Sequence, residues 1–543
     1  TSYTERSASY NHYYMSSYDS SSMNYEITRI GDEQSTALTN DGSQSGNRKM
    51  YFQAILDYNR TFKDLHDLNV MFLYNQEQYD LNGPTTLFSS LPQRKQGIAG
   101  RVSYSYGGRY YMEANFGYNG SENFAKGHRF GFFPSIAIGY NISNEKFWES
   151  IRPVVSNLKI RGSWGLVGND ATNAGRFAYM EDIVLGGSDS YTTGIRQDTY
   201  YSGPSWNRYY NPDLTLEVGE KINLGVDLQL FNNFNLTFDI FKEKRRDIFM
   251  TRENSIPEIV GTGKTKITSN NGEMENKGFD LAIDYNKQIT KDFFLSFKST
   301  LTFARNKVLK MDEPPYFEYP GLSDVGHPLG TYWGYVADGL FPDQETIDNS
   351  PRQDLGYTPQ PGDIKYVNQP NAKGEYDNVI NSNDRVAIGH PYDPELVYGF
   401  GPSMKWKNWD FSFFFQGVAR TSFMMYGMHP FGTTSIKNML QFVADDHWSV
   451  DNPNPNATYP RLTKDNNGNN DQYSTYWLRN AAFLKLKNAE IGYTYKGMRF
   501  YLSGVNLLTF SPFKHWDPEM GGGNGLYYPT QRVFNIGFQM TIQ

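Results

Sequence analysis

The sequence predicts an all-β fold, a large antiparallel transmembrane β-barrel with long loops on one rim. Three observations carry that prediction: apolar and polar residues alternate, the alternating runs are long, and short and long connections take turns along the chain. In "INLGVDLQLFNNFNLTFDI" (222–240), Ile222, Leu224, Val226, Leu228 and Leu230 alternate with Asn223, Gly225, Asp227 and Gln229. After Asn232-Asn233 the pattern restarts with Phe234, Leu236, Phe238 and Ile240 around Asn235, Thr237 and Asp239. Side chains on a strand point to opposite faces in turn, so each run has one apolar and one polar side.

Runs of this kind predict strands at 49–62, 66–80, 96–106, 109–118, 129–143, 157–168, 216–230, 234–250, 274–287, 292–308, 396–406, 408–421, 480–495, 498–508 and 531–543, with weaker ones at 3–14 and 22–31. That makes about 15–17 strands, an awkward count where bacterial single-chain barrels usually have an even number. Globular strands average about 5–6 residues, whereas a strand crossing a bilayer needs about 9–11. The connections then alternate. Lys496-Gly497, Lys407-Asn408, Gln288–Lys291, Phe231–Asn233, Gly107-Gly108 and Lys63–Leu65 are tight. Between them lie 81–95, 119–128, 169–215, 251–273, 309–395, 422–479 and 509–530. One turn, 144–156, is long for its class, and "NEKFWESI" within it suggests a short helix. Outer-membrane barrels have short periplasmic turns and longer outer loops. A soluble sandwich or propeller predicts shorter strands and no such parity. Because lipid offers no hydrogen bonds, a sheet spans a membrane only when closed. Leu224, Val226 and Leu228 are then expected to face lipid, and Asn223, Asp227, Gln229, Thr237 and Asp239 a polar lumen.

Composition agrees. Of 543 residues only 38% are hydrophobic, yet 16% are aromatic, with 41 Tyr, 37 Phe and 50 Gly. Disordered chains are poor in aromatics. The net charge of -7 shows no basic block, which argues against nucleic acid as a partner. The absence of Cys excludes a disulfide framework and a thiolate metal site. No apolar run is long enough for a membrane-spanning helix. No signal peptide is visible, and Thr1 falls in mid-pattern, so further strands are expected upstream. Tyr104, Tyr106, Tyr110, Tyr111, Phe130, Phe132, Phe133, Trp406 and Trp409 fall near strand ends, where aromatic girdles at the two interfaces are expected.

Several stretches, in one order, resemble the SusC/RagA family of TonB-dependent transporters of Bacteroidota. They are "SNLKIRGSWGLVGND" (156–170), "YNPDLTLEVGEKINLGVDLQLFNN" (210–233), "NKGFDLAIDYN" (276–286), "PLGTYWGYVADGLF" (328–341), "PGDIKYVN" (361–368), "NDRVAIGHPYDPELVYGFG" (383–401), "DDHWSVDNPNPNATYPRL" (445–462) and "YWLRNAAFLKLKNAEIGYTY" (476–495). Asp280 stands where that family usually has Glu, and the end "FQMTIQ" departs from its aromatic ending. The resemblance implies a 22-stranded barrel, of which residues 1–543 are the C-terminal portion, with the N-terminal plug and TonB box outside this chain. It also implies TonB as the energy-coupling partner, a SusD-like lipoprotein lid, a dimer of such pairs, and TonB-dependent import of oligomeric nutrients across the outer membrane of a Gram-negative cell. Oligosaccharides are the substrate class the resemblance favours, with oligopeptides as the alternative. A scaffold for surface-protein assembly is a second class, and an outer-membrane enzyme a third.

No catalytic set emerges, and the chain is read as a non-enzyme. His390, His429, His447 and His515 lie in loops without a metal spacing. Asp445-Asp446-His447 reads as a ligand cluster or, more simply, a polar loop corner. "GGGNG" (521–525) lacks the Lys-Ser/Thr of a P-loop and reads as a flexible apex. Related proteins carry an Asp/Asn run where this chain has "YDNVINSNDR" (376–385). Asp377, Asn381, Asn383 and Asp384 are therefore candidate Ca2+ ligands, the other reading being an Asx-rich turn. The candidates for contact with substrate or lid are loop aromatics: Trp206, Tyr209, Tyr210, Trp333, Tyr335, Trp448, Tyr476, Trp477, Trp516, Tyr527 and Tyr528. Sugar C–H faces stack on such rings, peptides use the same surfaces, and loop packing is the alternative reading for each.

Overall fold

The structure is a computed structural model. It describes all residues except 1–4, 8–11, 20–23, 31–38, 42–45, 84–86, 172–174, 187–189, 253, 258, 260–266, 429–438, 465–466 and 541–543. Its main element is one 15-stranded antiparallel sheet in which neighbours in sequence are neighbours in space. The strands are β1 (Gly46–Phe62), β2 (His66–Asn82), β3 (Gln93–Tyr106), β4 (Tyr110–Ser121), β5 (Phe130–Asn141), β6 (Val155–Asn169), β7 (Glu217–Leu230), β8 (Phe234–Thr251), β9 (Thr268–Thr290), β10 (Phe293–Lys310), β11 (Leu396–Trp406), β12 (Trp409–Ala419), β13 (Phe483–Tyr495), β14 (Met498–Phe510) and β15 (Val533–Met540). Each overlaps a segment marked by alternation. β1 and β15 are its edge strands.

The weaker candidates come out differently. Instead of single strands at 3–14 and 22–31, Glu5–Ser7 pairs with Thr39–Asp41 and His12–Asp19 with Asn24–Ile30. These are two small ladders outside the large sheet. Alternation alone could not tell a short local hairpin from a wall strand.

Antiparallel order places the tight turns on one rim and the long connections on the other. Consecutive positive φ values at Lys63-Asp64 (50° and 55°), Gly107-Gly108 (56° and 63°), Phe231-Asn232 (52° and 56°) and Lys496-Gly497 (46° and 81°) are those of the hairpin turns that match strand twist. The wider turn at 142–154 contains two 3-10 segments, Ile142–Asn144 and Lys146–Trp148. Arg109 ties it to the neighbouring hairpin through Glu145 at 2.9 Å.

The two faces of the sheet differ as expected. On one, Arg161 of β6 lies directly opposite Gly225 of β7, which lies opposite Asp239 of β8. The guanidinium crosses the bare glycine to reach Asp239 at 2.6 Å and Asp227 at 3.1 Å, and donates to Asn223 at 3.4 Å. This is the polar, lumen-side face. On the other, the tilted rings of Phe238, Phe279 and Phe303 follow one another across β8, β9 and β10 at 6.0 and 5.7 Å, and Leu224 and Ile240 are exposed. Side chains left this bare are at home only against acyl chains.

Aromatics band that apolar face. Near the tight turns Tyr110 stacks on Tyr140 at 5.0 Å and Trp409 meets Tyr493 at 4.8 Å. Near the long loops Tyr118 stacks on Phe130 at 5.1 Å and Phe116 lies 6.0 Å from Phe132. Two expected members belong elsewhere. Tyr111 lies under the Lys159 ammonium at 4.5 Å, on the polar face. Phe133 packs against a small buried cluster of Phe124, Ala178, Leu214, Leu216 and Phe249 at the long-loop rim.

Candidate functional site

The long connections of the C-terminal half form a folded body on their rim. Within 311–395, Tyr332–Gly334 pairs with Val386–Ile388, and Ala337–Leu340 with Ile364–Tyr366. Within 420–482, Ser422–Met424 pairs with Leu478–Asn480. Bridges Tyr335–Ser474 and Met425–Gly523 stitch these two connections to each other and to 511–532. A shared core of Tyr335, Leu340, Ile364, Tyr366, Ile380, Phe423, Met424, Met425, Val443, Trp448, Trp477 and Phe513 fills the body.

A carboxylate locks it. Asp363 is fully buried. It accepts hydrogen bonds from Asn467 and Asn470 at 3.0 Å each, from Arg461 at 3.1 Å and from the Gln360 backbone N–H at 2.8 Å. Buried polar groups persist when every bond is made. A second lock joins the body to the wall. Lys485 of β13, with its side chain fully buried, meets Asp517 at 2.7 Å and Glu519 at 2.5 Å.

This packing sorts the loop aromatics. Tyr335, Trp448 and Trp477 are inside the core, and Tyr476 and Trp516 pack against it. Three of them use their polar ends internally: Trp477 donates to Asn470 O at 2.7 Å, Tyr476 to Ala457 O at 2.6 Å and Trp516 to Gly521 O at 2.9 Å. These five hold the body together, because three connections meeting without a sheet between them need large side chains to exclude water. Trp333 is half-buried and donates to Asp324 at 2.7 Å. Trp206 stacks on Tyr209 at 6.2 Å on a separate connection, beside exposed Tyr210. Tyr527 and Tyr528 are open to solvent.

Residues not singled out from sequence join them. Tyr426 lies 6.5 Å from Tyr473, and both are exposed, as is Tyr392. Gly523, whose carbonyl accepts from the Tyr426 N–H at 3.1 Å, sits against the Tyr527 ring. Tyr332 lies at the base of this group. Burial, and then the neighbouring phenols of Tyr392, Tyr473 and Tyr426, push its own phenol up to about 12, so it stays a neutral donor. No spacing links these tyrosines; only the pairing of three distant connections does. "GGGNG" is also firmer than its composition suggests, since Gly522 lies against the Met424 backbone and Gly525 against the Trp516 ring.

The "YDNVINSNDR" run is a tight turn. Asp384 is buried; its oxygens accept from the backbone N–H groups of Gln369 at 2.7 Å and Asn381 at 2.8 Å. Asn381 accepts from Asn383 N–H at 2.9 Å, and Asp377 from Val379 N–H at 3.0 Å. Burial raises the Asp384 carboxyl above its ordinary range. Among the described residues no group of three or more acidic or His side chains could hold a metal ion. As arranged, these oxygens serve the backbone and do not fit a calcium shell of about 6–8 free oxygens. Asp446 likewise accepts from the Thr458 hydroxyl at 2.6 Å, and His447 turns back to the Val443 carbonyl at 3.0 Å. His515 sits against Phe442 at 4.2 Å, and burial followed by Arg479 lowers its basicity. His429 lies outside the described residues.

No family model matches the chain. Curated relatives do. The TonB-dependent receptor P3 of Formosa agariphila is 26% identical over 478 residues, 82% of this chain and 45% of that receptor. The TonB-dependent receptor SusC of Bacteroides thetaiotaomicron is 28% identical over 468 residues, 81% of this chain and 43% of that receptor. The chain thus spans less than half the length of the curated relatives it matches. Among solved structures, the RagAB peptide importer in its open-open state shares the fold with a TM-score of 0.71 at 19% identity, over 92% of this chain and 55% of that one. A further structure of the RagAB peptide transporter gives 0.69 at 20% identity, over 91% of this chain and 56% of that one. Relatives of this kind are not enzymes. Motif order, relatives and fold agree: the chain is similar to the barrel part of TonB-dependent receptors of the SusC type.

Proposed function

We propose that this chain is the wall and outer vestibule of a TonB-dependent importer of oligomeric nutrients, working with a SusD-like lipoprotein lid in the outer membrane of a Bacteroidota-like cell. The observation that carries the reading is the joining of three long connections into one packed body that presents tyrosines outward. A rigid, aromatic, partly polar surface suits capture of an extended ligand beneath a lid. The wall supplies no covalent chemistry. Its polar face, with Arg161, Asp227 and Asp239, would line the route opened when a plug upstream of the barrel is moved by TonB.

Oligosaccharides are the first reading, because Tyr426, Tyr473 and Tyr527 offer flat faces beside Asn524. Oligopeptides are the second, favoured by the fold shared with a peptide importer. The test is isolation of the full-length protein from outer membranes, with mass spectrometry of everything that copurifies. A lipoprotein lid with a bound oligomer is expected, and the oligomer's composition decides between sugar and peptide. A lid without ligand, and normal surface-protein assembly that fails when the barrel is deleted, would favour a scaffold. Neither lid nor oligomer would overturn the importer reading.

A further inference from the structure

The apolar face of the wall ends abruptly in positive charge. Across β8, β9 and β10 the last apolar row is Ile240–Phe279–Phe303, residue directly opposite residue. The next row toward the long loops is Lys242–Lys277–Arg305, again in register. Like charges directly opposite on neighbouring strands destabilise a sheet unless something anionic faces them. All three reach outward, with side chains 54%, 69% and 53% exposed. One row higher, Lys244 and Lys307 flank Glu275. To the side, the Arg420 guanidinium lies 5.9 Å from the Phe303 ring.

Carboxylates on this patch are already shared. Glu275 serves both Lys242 at 2.7 Å and Lys277 at 3.7 Å. Glu395 serves both Arg305 at 3.0 Å and Arg420 at 2.7 Å, Glu273 serves Lys244 at 3.0 Å, and Glu220 accepts from the Trp164 indole. Positive charge therefore remains in excess here, on a chain whose net charge is -7. Height agrees as well. Lys242 lies eight residues above Phe234, about 27 Å along a strand and about 20 Å along the normal at a tilt of roughly 40°. The apolar band of such barrels is about 25 Å tall. Counted from Phe234, the row falls within about 5 Å of the top of that band on the loop side, within reach of headgroups for long cationic side chains.

We propose that Lys242, Lys277 and Arg305, backed by Lys244, Lys307 and Arg420, bind the phosphates of an anionic lipid in the outer leaflet. Guanidinium and ammonium groups above an aromatic row match a headgroup that carries phosphate over acyl chains. The inference rests on membrane placement and not on what is imported.

The test uses the full-length protein with its lid, reconstituted in phosphatidylcholine nanodiscs with or without diphosphoryl lipid A, and counts retained lipid A by native mass spectrometry. Replacing all three residues (Lys242→Gln, Lys277→Gln and Arg305→Gln) is expected to reduce retention at least tenfold, since each surface cation contributes about fivefold. Lys242→Arg with Lys277→Arg should retain it. Lys221→Gln with Arg245→Gln, on the opposite face, should change nothing. Heat-dependent gel mobility confirms that each barrel is folded. Equal retention in the triple variant overturns the proposal. So does equal loss in the opposite-face control, or displacement of the lipid by millimolar inorganic phosphate, which would mark a free-anion site.

Discussion

The wall and the loop body invert the usual relation between sheet and core. In the wall, long strands carry exposed apolar side chains on one face and a polar network on the other. In the body, strands are two to four residues long, yet it holds most of the largest fully buried side chains, among them Tyr366, Phe341, Phe423, Ile364, Ile380, Met424, Met425 and Val443. The wall is held by a repeating ladder that no single side chain controls. The body is held by particular contacts, each made once. One region should therefore tolerate substitution along its length and fail only where lipid meets charge, while the other should fail at single points.

The sharpest break is Asp363→Ala. It leaves Asn467 and Asn470 buried without their acceptor and half-buried Arg461 with only the Tyr357 hydroxyl, which should cost about 3 kcal/mol. We expect fast proteolysis within 311–482 while the barrel keeps its heat-dependent gel mobility. If the barrel unfolds in parallel, the two regions are one cooperative unit and the contrast fails. The converse is Val226→Arg, which puts a cation amid the apolar face and should cost about 2–4 kcal/mol. Barrel unfolding in urea should shift while loop proteolysis stays unchanged.

The same contrast explains what the sequence disclosed. Every wall strand was legible because one period-two pattern, repeated, is a local signal, and so were the turns at Phe231-Asn232 and Gly107-Gly108. The body was not. Trp448 and Trp477 have the composition of ligand-facing loop aromatics, and only the meeting of 361–368 with 445–482 makes them core. Tyr392, Tyr426 and Tyr473, which share the outer surface, are far apart in sequence and follow no period. The cation row escaped notice for a related reason, since Lys242, Lys277 and Arg305 align only once strand register is known.

A smaller effect compares two glycines. A Cβ on Gly362 would lie 2.2 Å from the Trp448 ring, at a φ of 89°. Gly362→Ala thus combines overpacking with backbone strain, about 2–3 kcal/mol of the body's stability. A Cβ on Gly225 would lie 2.5 Å from the Arg161 guanidinium and 2.6 Å from Asp239. Those are the far ends of flexible side chains, and moving them only disturbs the partly exposed Arg161–Asp239 pair, so Gly225→Ala should cost about 1 kcal/mol. Proteolysis for the first and urea unfolding for the second should rank them in that order. The reverse ranking would mean that the wall, too, depends on particular contacts.

The mildest perturbation is acid, and it addresses the joint between the two regions. Against the cost of its burial, Lys485 and Lys487 hold the Glu519 carboxyl below its ordinary 4.5. A carboxylate with a lowered folded-state pKa stabilises fully above its unfolded value and loses that contribution as pH falls through the folded one. Between pH 7 and 5 nothing should change; as pH falls below the ordinary 4.5 the 511–532 connection should loosen from Lys485 while the ladder stays intact. Hydrogen exchange along a pH series, corrected for intrinsic rates, should show protection lost first at 517–520. Glu519→Gln should show that loss already at pH 7 and flatten the acid dependence. A uniform loss across β13 and β14 would instead mean that the lock belongs to the wall.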